Sequence, residues 1–170
     1  MTAAARTELA AGRWTVDPAY STATFRVGNL GFATVTGTVP ILRGTVEIGA
    51  DGHPAAVTGE LDLGAIDTGN PKRDKDLRAP KLLDLDRHPA MTFAADRVTV
   101  TGAGWSVTGR LTARGTTVPV SGDAGLASRD GAVTLTARTR LDRRDFGVRA
   151  PRLLIGTRVE VTVTARIRPE

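Results

Sequence analysis

The chain contains no cysteine. That absence excludes disulfides, thiolate nucleophiles and cysteine-ligated zinc or iron–sulfur centres together. Aromatic residues are scarce at 4%, so any core must be built from aliphatic and small side chains. Histidine is nearly missing. His53 and His88 stand alone, one just after the Asp51-Gly52 pair and one before a proline, and neither shows metal-ligand spacing. No apolar run approaches the length of a membrane-spanning helix. There is no GxSxG nucleophile elbow and no glycine loop of the kind that cradles phosphates.

What remains is a globular composition. Hydrophobic residues make up 41% and charged residues 24% of 170 positions, too apolar for disorder and of a length that one all-β core fills. The alanine-rich start, residues 1–12, lacks the apolar centre of a secretory signal and reads as a flexible tail. One domain is expected over 13–168. On this reading the protein is soluble and cytoplasmic, or periplasmic or secreted if a leader has been removed. The net charge is +5, which raises nucleic acid as a partner. However, the arginines are spread along the chain and the few aromatics do not alternate with them as a stacking platform requires. No nucleic-acid partner is expected.

Period-2 alternation recurs from end to end. In Thr157–Arg168, Val159, Val161, Val163, Ala165 and Ile167 alternate with Arg158, Glu160, Thr162, Thr164, Arg166 and Arg168. Ala132–Leu141 and Trp105–Ala113 keep the same parity, and Ser21–Val27, Ala33–Ile41 and Ala55–Leu63 follow it with fewer matches. Further strands are expected at Thr45–Ile48, Met91–Val100 and Val118–Leu126. Asp51-Gly52, Gly102-Ala103-Gly104, Arg114-Gly115 and Asp130-Gly131 punctuate them as hairpin turns, the last a type I′ candidate. Eight or nine short strands with one apolar face each imply a closed barrel or a sandwich.

Ile66–Pro89 breaks the rhythm, being too long for a hairpin loop. Asn70-Pro71 reads as an N-cap followed by proline at the first helical position, opening a short helix through Leu77 within a helical insertion around 70–87. Leu82, Leu83 and Leu85 then need a surface to cover. A lid or plug over one barrel end satisfies them, and so does a crossover packed on the outside.

In order, these segments resemble the YceI family of lipocalin-like lipid-binding proteins. The resemblance rests on Trp14-Thr15-Val16-Asp17-Pro18-Ala19-Tyr20-Ser21, Ile66-Asp67-Thr68-Gly69-Asn70, Arg73-Asp74-Lys75-Asp76-Leu77 and Leu82-Leu83-Asp84. It continues through His88-Pro89-Ala90-Met91-Thr92-Phe93, Val107–Gly115 and Arg143-Arg144-Asp145-Phe146-Gly147, covering Arg13 to Arg168. It implies an all-β fold, an antiparallel eight-stranded lipocalin-like barrel holding a polyisoprenoid or similar long-chain amphiphile, and it is compatible with a homodimer. There are two departures. The secretion signal that many relatives carry is not seen, and the histidine usual before the serine of the first motif is Tyr20 here.

The residues support a hollow on their own terms. With the apolar parity turned inward, the lining includes Ala23, Phe25, Val27, Val35, Val57, Leu61, Phe93, Trp105, Val107, Leu111, Leu135, Val161 and Val163. No charge falls on the well-patterned inward positions. Gly37, Gly59, Gly109, Gly122, Ala137 and Ala165 share those faces. An eight-stranded barrel is just wide enough to be filled or to hold one small ligand, and the small residues either open it or let the strands pack closely. The candidate ligand-binding set is Phe25, Val27, Val35, Val57, Leu61, Phe93, Trp105, Val107 and Leu135, with Phe146, and with Leu82 and Leu83 near one end.

Polar clusters are fewer. Arg144 and Asp145 are the headgroup candidates, since an arginine can grip an anion bidentately; a structural role, with Asp145 capping a turn, accounts for the same residues. Asp74, Asp76, Asp84 and Asp86 lack the glycine and terminal glutamate of an EF-hand. Arg138, Arg140, Arg158, Arg166 and Arg168 share one outward face, and a basic strip of this kind would dock transiently to an anionic membrane; a solvated exterior explains it equally. No nucleophile, metal set or paired acid and base is evident, so neither catalysis nor a cofactor beyond a bound lipid is expected. The leading expectation is a non-catalytic lipid carrier. The rivals are an enzyme acting on an isoprenoid or lipid in the barrel, with Arg144 and Asp145 as its polar participants, and a ligand-free interaction barrel.

Overall fold

Alternating side chains place one face of each strand toward a shared interior, and the ladder closes on itself. The computed structural model describes residues 8–29, 32–150 and 155–170. Nine antiparallel strands follow in order: β1 (Gly12–Val16), β2 (Thr22–Asn29), β3 (Ala33–Ile48), β4 (Pro54–Asp62), β5 (Ala90–Thr101), β6 (Gly104–Ala113), β7 (Thr116–Arg129), β8 (Ala132–Asp142) and β9 (Ile155–Pro169). A short helix α1 (Pro71–Leu77) lies between β4 and β5. The sheet runs β2-β9-β8-β7-β6-β5-β4-β3 and closes where β3 pairs with β2.

Nine strands make eight staves because β1 and β2 share one. β2 pairs with the first half of β3, Ala33–Pro40, and with β9 up to Thr164. β1 pairs with the second half of β3, Thr45–Ile48, and with β9 from Ile167 to Pro169. A helical turn at Pro18–Tyr20 separates them, entered through Asp17, whose carboxylate accepts from the Ala19 amide. The sequence pattern breaks β3 in two, but it is one strand of 16 residues. A register shift between Ile41 and Arg43 explains the break. The bulge turns Leu42 outward, and Gly44, Val46 and Ile48 continue the inward face on the opposite parity.

The tail expected over 1–12 needs correction at 8–12. Leu9 is buried at 5% exposure in the cluster that seals one barrel end, with Trp14, Val46, Ile48, Trp105, Val133 and Ile167. The Trp14 indole Nε1 donates to the Ala10 carbonyl at 2.9 Å, which ties the segment down. Residues 1–7 of that expectation lie outside the described residues.

The turns obey their glycines. Asp130 and Gly131 have φ of 53° and 80°, and Arg114 and Gly115 have 54° and 73°, the two left-handed residues of a type I′ hairpin. Three of the outward arginines of β8 and β9 have partners. Arg140 faces Glu160 at 3.9 Å, Arg168 faces Asp17 at 3.9 Å, and the Arg166 guanidinium sits 4.4 Å above the Tyr20 ring.

Candidate ligand chamber

The long segment between β4 and β5 closes the barrel end opposite the Leu9–Trp14 plug. Asn70 caps α1, its side-chain oxygen accepting from the Arg73 amide at 3.1 Å, and Pro71 occupies the first turn. The chain beyond the helix folds back on it, the Leu83 amide donating to the Leu77 carbonyl. Leu85 drops to 1% exposure in the main core, burial of a kind that contributes roughly 1.5–3 kcal/mol. Leu77, Leu82 and Leu83 face the cavity beneath. The segment is therefore a lid, not an external crossover.

Two cavities lie under it along the barrel. The larger, about 350 Å³, borders the lid. The smaller, about 170 Å³, lies beyond it, with Trp105 on its wall. Met91 borders both. Of the residues singled out from sequence, Phe25, Val27, Val35, Leu82, Leu83 and Phe146 line the larger cavity. Val57, Leu61, Phe93, Trp105, Val107 and Leu135 line the smaller. The glycines divide by role. A Cβ on Gly109 would run into the Ala94 carbonyl and one on Gly122 into the Arg138 carbonyl, so these let strands approach closely. Gly37 is covered by Thr68 and Ile66 from the lid segment, whereas Gly59 has open space in front of it on the smaller cavity's wall.

Charge enters at the lid end. Arg73, Arg114 and Arg143 border the larger cavity, and among the described residues the one carboxylate on its wall is Asp76. Arg73 donates through Nε to the Thr68 hydroxyl and through Nη2 to the Thr68 carbonyl, both at 2.8 Å. Thr68 in turn donates its hydroxyl to Asp74. Arg114 reaches the Pro80 carbonyl through Nη2 and the Phe146 carbonyl at 3.5 Å through Nη1. Arg143, at 7% exposure, donates to the carbonyls of Val148, Ala150, Ile155 and Gly156.

The alternation pattern missed all three, because they come from α1, from the β6–β7 turn and from the helical turn Arg143–Phe146, where strand parity does not apply. One signal was available for Arg143. It stands three residues before Phe146, a spacing that stacks side chains in a tight helical turn. The structure sets Arg144 and Asp145 on the exposed side of that same turn, away from the cavity wall. Arg144 binds Asp142, its Nε 2.9 Å from Oδ1, and Asp142 also accepts from the Arg144 amide. These bonds from Arg144 hold the Asp142 carboxyl down to about 2.

A model of the YceI-like domain matches residues 14–167. A UPF0312 protein of Pectobacterium atrosepticum is 34% identical over 104 residues, 60% of this chain and 54% of that relative. The chain thus spans about half the length of that curated relative. Among solved structures, Burkholderia cenocepacia BcnA aligns with a TM-score of 0.80 at 17% identity, covering 90% of this chain and 99% of the other. A polyisoprenoid binding domain from Saccharophagus degradans, implicated in plant cell wall breakdown, aligns at 0.70 and 13% identity, over 92% and 98%.

Proposed function

The chain belongs to the YceI-like family, and from that footing we propose that it is a non-catalytic carrier holding the apolar chain of a polyisoprenoid or another long-chain amphiphile inside its barrel. The observation that carries this reading is the pair of adjoining cavities, walled by aliphatic and aromatic side chains and meeting at Met91. A hollow of this make-up favours methylene and methyl groups over any polar ligand. Each buried methylene contributes roughly 0.8 kcal/mol. Ten carbons give about 8 kcal/mol, which the association cost of about 4–15 kcal/mol can absorb entirely. Stable retention therefore asks for a longer chain, one that runs past Met91 into the second cavity. The structural neighbour from Saccharophagus degradans, a polyisoprenoid binding domain, supports the same chemistry.

Among the described residues, the polar groups bordering the larger cavity are three arginines held by oxygens, with Thr68 and Asp76 near the lid. Such a set supports holding a ligand more than transforming it.

Native mass spectrometry of protein purified from cells without detergent tests the proposal. The expected result is a lipid adduct, together with uptake of a fluorescent long-chain probe that transfers energy from Trp105. A protein that emerges empty and takes up no probe overturns it.

A further inference from the structure

Several arginines on the barrel's outside meet a carboxylate, among them Arg13 with Glu47, Arg43 with Glu60, Arg78 with Asp86, Arg110 with Asp96 and Arg144 with Asp142, and others such as Arg26, Arg97 and Arg129 stand exposed to solvent. The three that border the larger cavity do neither. Among the described residues, Arg73, Arg114 and Arg143 make no ion pair, and their partners are carbonyl and hydroxyl oxygens. Neutral acceptors satisfy N–H groups but leave the charge standing. Among the described residues, three guanidinium groups and one exposed carboxylate, Asp76, thus border the lid end of an otherwise apolar hollow, with a second carboxylate, Asp74, linked to Arg73 through the Thr68 hydroxyl.

The three are not equivalent. Arg143 spends four of its donors on backbone carbonyls and contributes mainly its charge. The bonds of Arg73 use Nε and Nη2, so its Nη1 has no protein partner among the described residues. Arg114 is the most telling. Its Nε is buried and has no acceptor, the one side-chain nitrogen or oxygen in that condition among the described residues. A buried donor on a charged group left unmade is destabilising. The Nε itself does not open onto the cavity, but a negatively charged group arriving there would offset the three guanidinium charges in a low-dielectric setting.

We infer that the larger cavity takes an amphiphile whose head is an oxyanion, a carboxylate or a phosphate monoester, seated at Arg114 and Arg73 beneath the lid with its tail directed toward Met91. This rests on the carrier reading and narrows it. A neutral alcohol or amide head leaves the guanidinium charges uncompensated, and a cationic head is repelled.

The test is a matched series with one alkyl chain and four heads: hexadecanol, palmitamide, palmitate and hexadecyl phosphate, each titrated against the delipidated full chain. The two anions are expected to bind at least about tenfold tighter than the two neutral ligands, a difference of about 1.4 kcal/mol. Raising pH from about 6 to about 8 adds charge to a phosphate monoester and none to a carboxylate. Tighter phosphate binding at the higher pH assigns a phosphorylated lipid, and pH-independent preference for both anions assigns a fatty acid. Arg73→Gln and Arg114→Gln are each expected to move the anion-to-neutral ratio toward one. Arg114→Gln also loses the ties to Pro80 and Phe146, so Arg73→Gln and the unaltered protein decide the matter if it fails to fold. Equal affinity for all four heads overturns this inference and leaves the carrier reading intact. No binding of any of them overturns both.

Discussion

Met91 faces Leu61 directly across the β4–β5 pairing, both side chains turned inward and nearly inaccessible, and Met91 borders both cavities. If the barrel carries a lipid chain as proposed, a flexible thioether at this waist limits how far that chain reaches. Met91→Ala is expected to join the two spaces. Because empty volume already lies on both sides, the stability loss should fall at the low end for such a truncation, about 2 kcal/mol by urea denaturation. The lipids recovered by native mass spectrometry should shift to longer chains. An unchanged chain-length distribution would mean that the ligand stops short of Met91.

Gly59 and Gly109 separate hollow from close packing. Gly59 has nothing in front of an added Cβ, while one on Gly109 meets the Ala94 carbonyl, and Ala95 Cα at 2.8 Å. Gly59→Leu should fold, within about 1 kcal/mol of the parent, while filling the smaller cavity and weakening long-chain uptake. Gly109→Ala should cost about 1–3 kcal/mol through strain where β6 passes the β5 bulge, although it adds a single methyl group. Thermal melts and probe uptake on the two variants check the contrast; equal destabilisation would contradict it.

The barrel was legible because each stave has one buried face. Leu135, Ala137 and Leu141 on β8, and Val161, Ala165 and Ile167 on β9, keep one parity without interruption. The caps were legible too: Asn70-Pro71 opens α1 and Asp130-Gly131 turns β7 into β8 because those side chains act on their own backbone. The continuity of β3 was not, since the bulge at Leu42 reverses the parity midway. Nor was β1, where Trp14 and Val16 are too few inward residues to make a period. The polar end of the cavity was hidden for a different reason. Arg143 and Arg144 are neighbours in a cluster of charges, and tertiary placement alone buries one among four carbonyls and leaves the other on the surface with Asp142.

Asp142 gives a pH signature. Hydrogen bonds from the Arg144 side chain and amide hold its carboxyl at about 2 in the folded protein, below the ordinary 3.8. A lowered folded value stabilises the fold above the unfolded value, and that contribution disappears as pH falls through about 2. The stability difference between the parent and Asp142→Asn should therefore be constant from about pH 5 to about pH 8 and shrink between about pH 4 and about pH 2. It should also weaken in high salt, since the pair is partly solvated. Urea titrations across that range measure it. A difference that grows on acidification would contradict the assignment.

Arg143 and Arg144 provide the sharpest discrimination because they are adjacent and chemically identical. The Arg143 guanidinium donates at 2.8–3.0 Å to carbonyls of Val148, Ala150, Ile155 and Gly156, joining the helical turn after β8 to the start of β9. Arg143→Met keeps the bulk and suits the apolar cavity but removes every donor, so several buried carbonyls lose their partners. The expected cost is about 1–3 kcal/mol, the range for leaving buried acceptors without a partner. Arg143→Lys should recover only a minor part of it, because an ammonium presents its donors from a single point and cannot span the positions that the planar fork reaches. Amide exchange at Val148, Arg149 and Gly156 should accelerate in both variants. Arg144→Met severs a surface pair with Asp142, and its unfolding midpoint should stay close to the parent's. If the two methionine variants lose equal stability, the division of labour between these arginines is wrong, and with it the positive charge assigned to the cavity wall at Arg143.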